Sequence, residues 1–161
     1  MKHVIVGVGN EYRRDDGVGL AVAARLQGRL PDGVKVVACE QEPSRLIDAW
    51  QDADTALVID AVESGAEPGT LLRFDASELA IPARVFRSST HAFGVGDAIE
   101  LARVLGKLPA RIVVYGVEGV EFTAGEGLST AVEAAVEQTA AAVLGDLERA
   151  IREEEPCTSK R

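Results

Sequence analysis

The sequence predicts an α/β fold: a three-layer α/β/α sandwich around a mostly parallel five-stranded sheet with one antiparallel edge strand. Three observations carry this expectation. Residues 4–8, 56–59 and 112–117 are apolar runs rich in Val and Ile without the polar alternation of half-exposed strands. Such runs suit parallel strands covered on both faces by helices. Amphipathic helical patterns alternate with them. One further strand-like run, residues 70–74, follows Val62 across only residues 63–69. A parallel crossover needs about a dozen residues or more, so this strand is expected to run antiparallel, at an edge.

Taken in order, residues 4–8 form the first strand, and Val18, Val22, Leu26 and Leu30 recur at i+4 as the apolar stripe of a first helix. Residues 34–39 read as a weaker strand of the same kind. Leu46, Ile47 and Trp50 mark a short second helix, and the strand at 56–59 leads into Asp60. After the antiparallel strand come a third helix (Val95, Ile99, Ala102) and the strand at 112–117. A long last helix follows, marked by Val132, Val136, Val143, Leu147 and Ile151, with Thr130 and Glu133 at capping-box spacing. The whole reads as one domain over residues 1–152, without repeat or linker, a size that buries one sizeable core. Residues 153–161 are charged and contain Pro156, and are expected to form a frayed or disordered tail.

Composition excludes several function classes. The formal net charge is −9 and no cluster of Lys and Arg could track phosphates, so nucleic acid is a poor partner. No run approaches the roughly 20 apolar residues of a membrane-spanning helix. The start, Met1-Lys2-His3-Val4, enters a strand without a signal-peptide core, so export is not expected. The two cysteines, Cys39 and Cys157, have neither metal-site nor CxxC spacing and read as free thiols of a reducing, cytoplasmic compartment.

Ligand sites of open α/β sheets lie outside the carboxyl ends of the parallel strands. Three such places carry chemistry. The loop after the first strand, Gly7-Val8-Gly9-Asn10, leads to Asp15-Asp16-Gly17. Its glycine pair invites a dinucleotide reading, but Tyr12 stands where the third glycine of G-x-G-x-x-G belongs, and two carboxylates at the helix start repel a pyrophosphate. Asp15 has a bland role open to it, capping backbone N–H groups at the helix start, which leaves Asp16 to face the crevice. Asp60 follows an apolar strand, where a carboxylate is costly unless paired, hydrogen-bonded or on a metal. His91 lies in the polar loop Ser88-Ser89-Thr90-His91, whereas His3 sits within the first strand and reads as structural or surface-facing. Together Asp16, Asp60 and His91 offer a borderline divalent ion such as Zn²⁺ or Ni²⁺ three ligands and an open position, the arrangement of catalytic rather than structural sites.

These segments resemble the hydrogenase maturation proteases, the endopeptidases that trim the large subunit of [NiFe] hydrogenases. The likeness covers residues 4–150. Its most specific part is Gly7-Val8-Gly9-Asn10 with Asp15-Asp16-Gly17-Val18-Gly19, followed in the expected order by Val58-Ile59-Asp60-Ala61, the Ser-Thr-His91 loop and Gly127-Leu128-Ser129. The resemblance implies that Asp16, Asp60 and His91 are the metal-binding and catalytic triad, with the first position often Glu in such enzymes. It implies as substrate a nickel-loaded large-subunit precursor, cut near its C-terminus, with nickel brought by the precursor and zinc or another divalent ion as substitute. The family's Gly/Thr-rich loop after the second strand is replaced here by Glu40-Gln41-Glu42-Pro43-Ser44-Arg45-Leu46, so the cognate hydrogenase is not readable.

Two mechanisms stay open at this level. The triad captures the nickel of the precursor and so positions the scissile peptide, or a bound ion activates water with Asp16 or Asp60 as general base. Ser88, Ser89 and Cys39 are poor nucleophiles, because no second histidine is placed as their base. Rival readings are a non-catalytic nickel-handling assembly chaperone using the same triad and a small-molecule-binding α/β module. Arg13, Arg14 and Arg87 flank the site and read as solvated surface. A monomer is expected.

Overall fold

The computed structural model describes residues 1–81 and 94–155. The elements are β1 (His3–Val8), α1 (Val18–Leu26), β2 (Val34–Cys39), α2 (Pro43–Trp50), β3 (Thr55–Val62), β4 (Leu71–Asp75), α3 (Val95–Leu105), β5 (Arg111–Glu118) and α4 (Thr130–Glu154). A short 3₁₀ turn, Arg14–Gly17, precedes α1. Their order along the chain is the one expected from the sequence.

The sheet order is β2-β1-β3-β5-β4. β2, β1, β3 and β5 pair in parallel, and β4 pairs antiparallel with β5 at the edge. All eight residues of β3 are buried, as a strand covered on both faces demands. One face packs Val6, Val58 and Val114 against Leu46, Trp50 and Ile99 of α2 and α3. The other packs Ile5, Leu57, Ile59 and Tyr115 against Val18, Val22 and Leu26 of α1 and Val136, Val143 and Leu147 of α4. Helices on both faces of one sheet make the three layers.

Local sequence explains most element ends. Pro43 opens α2, where its missing N–H is no loss. Gly106 closes α3 with φ 68°, the left-handed conformation that favours glycine. At the start of α4 the expected Thr130/Glu133 box does not form. Ser129 is the N-cap residue, and its hydroxyl donates to Asp15 instead of accepting from the helix. Helix α1 ends at Leu26, so Leu30 packs on the core from beyond it. Helix α4 runs on to Glu154, past the expected boundary at Arg152, where Glu153 pairs with Arg111 and Glu154 with His3. His3 is thus a buried structural residue, its Nε2 lying 3.0 Å from Glu154 Oε2. The rest of the tail, 156–161 with Cys157, lies outside the described residues. Among the described residues no helix is long and apolar enough to cross a membrane.

Candidate active site

Strand order decides where the site lies. The chain leaves β1 for β2 on one side, then returns to β3 on the other side of β1, with α1 and α2 on opposite faces. That reversal opens a crevice outside the carboxyl ends of β1 and β3, the usual ligand position of a doubly wound sheet. β1 ends at Val8, and its pairing with β3 stops at Gly7 opposite Ile59. Asp60 therefore lies inside β3, opposite Gly116 of β5, and not after the strand as its sequence suggested. The neighbouring β1 has simply run out.

Close backbone packing shapes the turn that carries Asp16. Gly9 has φ 148°, and a Cβ there would meet the Asp16 carbonyl oxygen at 1.9 Å. A Cβ on Gly19 would lie 2.4 Å from the carbonyl oxygens of both Val8 and Ile59. These glycines bring the start of α1 down onto β1 and β3, so the loop that invites a phosphate reading has a packing role. The close helix–strand approach falls to Gly19, and Tyr12 is largely exposed.

Both predicted carboxylates are buried: Asp16 is 2% and Asp60 1% exposed. The Asn10 backbone N–H donates to Asp16 Oδ2 over 3.1 Å. Asp60 accepts the Ala61 N–H at Oδ1 over 2.8 Å and the Gln41 Nε2 amide at both oxygens over 3.0 Å. Burial and then the charge of Asp16 push the Asp60 carboxyl up to about 8, and the Gln41 and Ala61 hydrogen bonds only partly oppose them. Two desolvated carboxylates acting on one another suit an added cation, and the hard-to-borderline oxygen set admits Zn²⁺ or Ni²⁺. Among the described residues no group of three His, Cys, Asp or Glu assembles as a metal site. His91 lies outside the described residues, as do Arg87, Ser88 and Ser89.

Asp15, one residue away, faces elsewhere. It is fully buried and accepts the backbone N–H groups of Val120, Glu121 and Ser129 and the Ser129 hydroxyl, all within 2.7–2.9 Å. Burial acts to raise its pKa, but these donors outweigh it and hold the carboxyl below its ordinary value. The expected capping role is therefore met on a distant segment, the β5–α4 loop, and not on its own helix. Arg13 and Arg14 belong to the same clasp and are not simple solvated surface. Arg13 donates to the Phe122 carbonyl at 3.0 Å, and the Arg14 guanidinium packs on Gly125. Arg14 itself sits at φ 49°, with its N–H bonded to the Gly125 carbonyl.

Cys39 is buried and unpaired in any disulfide, its thiol pushed up chiefly by burial, which makes it a poor nucleophile as expected. Gln41 is the residue that sequence reasoning passed over. The signal was position, since it follows the carboxyl end of β2, beside the same crevice. An open groove of about 570 Å³ adjoins this end of β2, lined among others by Asn10, Tyr12, Cys39, Glu40 and Arg45.

The chain matches the family model of the hydrogenase maturation proteases over residues 20–146. It belongs to that family. The hydrogenase 2 maturation protease of Escherichia coli strain K12 is 28% identical over 151 residues, 91% of either chain. The hydrogenase expression/formation protein HupM of Azotobacter chroococcum is 32% identical over 121 residues, 74% of this chain. The match spans only 58% of HupM, which is considerably longer. The solved hydrogenase maturating endopeptidase HybD of Escherichia coli superposes with a TM-score of 0.80 at 24% identity, covering 93% of this chain and 94% of HybD. It shares the mixed five-stranded fold described above.

Proposed function

We propose that this chain is an endopeptidase that removes the C-terminal extension of a nickel-loaded [NiFe] hydrogenase large-subunit precursor. One observation carries the reading: Asp16 and Asp60 are buried together at the switch-point crevice of a maturation-protease fold. His91, third member of the triad implied by the family likeness, completes the ligand set. The nickel is cargo of the substrate, and the triad recognises it, which brings the scissile peptide to the carboxylates by proximity. A bound divalent ion would add Lewis-acid polarisation of the scissile carbonyl and of water.

The chain's own groups supply the rest. A carboxyl whose pKa lies near neutrality is matched to taking a proton from attacking water and returning it to the leaving amine. With no cation on its free oxygen, Asp60, pushed up to about 8, meets that requirement. The groove beside β2 offers the free edge of a strand to an extended peptide, a common peptide-binding mode.

The test is to incubate the protein with nickel-loaded and nickel-free precursor from the same source and to weigh the large subunit by mass spectrometry. Loss of the extension only with nickel, and not with Asp16→Ala or His91→Ala, is the expected result. An unchanged mass with the two proteins co-purifying would replace the protease by a non-catalytic assembly chaperone.

A further inference from the structure

We propose that Gln41 is a positioning residue that fixes the Asp60 carboxylate for a divalent cation, an inference that rests on the reading of Asp60 as a metal ligand. The Gln41 amide lies between the two carboxylate oxygens, with Nε2 3.0 Å from each. With a cation bound the carboxylate is ionised and offers only lone pairs, so the NH₂ end of the amide faces it. Oδ1 also receives the Ala61 N–H at 2.8 Å and so carries two donors, while Oδ2 receives one. A carboxylate oxygen accommodates about two such bonds. Oδ1 is therefore filled, and Oδ2 keeps the free lone pair. Gln41 and the Ala61 N–H thus set the plane of the carboxylate that would face a cation.

The other end of the amide supports a role beyond tying down a loop. Gln41 Oε1 is buried and has no hydrogen-bond partner among the described residues. A buried acceptor left empty is costly, by about 1–3 kcal/mol, and persists where the surroundings are built for something else. It lies on a residue already bonded to a proposed ligand. A donor-rich neighbour, such as water on a cation or the N–H of a bound peptide, matches it. Hydrogen-bonding partners of metal ligands tune affinity in this way, and their loss weakens binding about 10- to 100-fold.

The experiment is calorimetric titration of Ni²⁺ into the metal-free protein, comparing the unsubstituted chain with Gln41→Ala, Gln41→Leu and Asp60→Asn. The visible spectrum of bound Co²⁺ and the melting temperature of each metal-free variant are recorded alongside. A Kd about 10- to 100-fold weaker in both Gln41 variants, with a shifted Co²⁺ spectrum and a melting temperature within a few degrees of the unsubstituted chain, is expected. Gln41→Leu keeps the volume, so a collapse of the loop in Gln41→Ala alone does not imitate the result. Weakened binding in Asp60→Asn with unchanged affinity and spectrum in both Gln41 variants overturns the role of Gln41 alone. No Ni²⁺ binding by the unsubstituted chain, or undiminished binding in Asp60→Asn, overturns the metal-site reading and this proposal with it.

Discussion

Asp15 and Asp60 are both buried carboxylates within the same small region, yet their surroundings drive them in opposite directions. Asp15 meets four donors from the β5–α4 loop and lies below its ordinary pKa. Asp60 is equally hidden from the surface but set deeper among protein atoms, with a like charge nearby and only two donor groups, so it lies far above its own. On the proposed reading of Asp60, low surface exposure alone does not mark a functional carboxylate. What marks it is burial that the fold leaves uncompensated.

The largest expected effect breaks the satisfied side of this comparison. Asp15→Leu removes the acceptor and leaves the part-buried N–H groups of Val120, Glu121 and Ser129 without their partner. Each stranded donor costs about 1–3 kcal/mol, so urea unfolding should show a loss of about 3–5 kcal/mol. A loss under about 1 kcal/mol would mean that the clasp is not structural.

The next effect has the opposite sign. Asp60 has a folded pKa above its unfolded value, so its contribution to stability is fully present below about pH 4 and is lost as pH rises through about 8. In metal-free protein, Asp60→Asn should flatten that slope and raise stability at pH 8–9 by about 2–5 kcal/mol. Unfolding with chelator present, at pH 5 and at pH 8.5, measures it; a variant less stable than the unsubstituted chain at both values would contradict the uncompensated charge.

Gly19→Ala tests the wedge that brings α1 to the crevice. Its Cβ would press on two backbone oxygens at 2.4 Å, which cannot swing aside like a side chain. A destabilisation of about 1–3 kcal/mol is expected, read as a lower melting temperature. An unchanged melting temperature would show that the helix start is free to shift. The smallest effect is a control on the surface: Arg25→Ala, removing a pair with the exposed Glu137, should change stability by less than about 1 kcal/mol in the same melts.

Features set by residues close together in sequence are legible in it, and pairings across it are not. The Thr130/Glu133 spacing pointed to a capping box, yet Ser129 turned its hydroxyl to Asp15, more than a hundred residues earlier. Arg13 and Arg14 looked like solvent-facing charges, and each is taken up by the 119–128 loop. Gln41 carried no chemical signature, because an amide becomes informative only when a buried carboxylate lies within reach. Nothing local in a sequence encodes such pairings.

The sequence by itself determined the strands, the helices, the antiparallel edge strand and the carboxylates worth watching, because apolar periodicity and the short span between β3 and β4 are local quantities. The tertiary structure decided that Asp15 takes its donors from the β5–α4 loop, that Asp60 lies within β3, and that the Gln41 amide reaches its carboxylate. Those outcomes depend on donors and charges brought together from distant segments, and on how much water the packed layers exclude around each one.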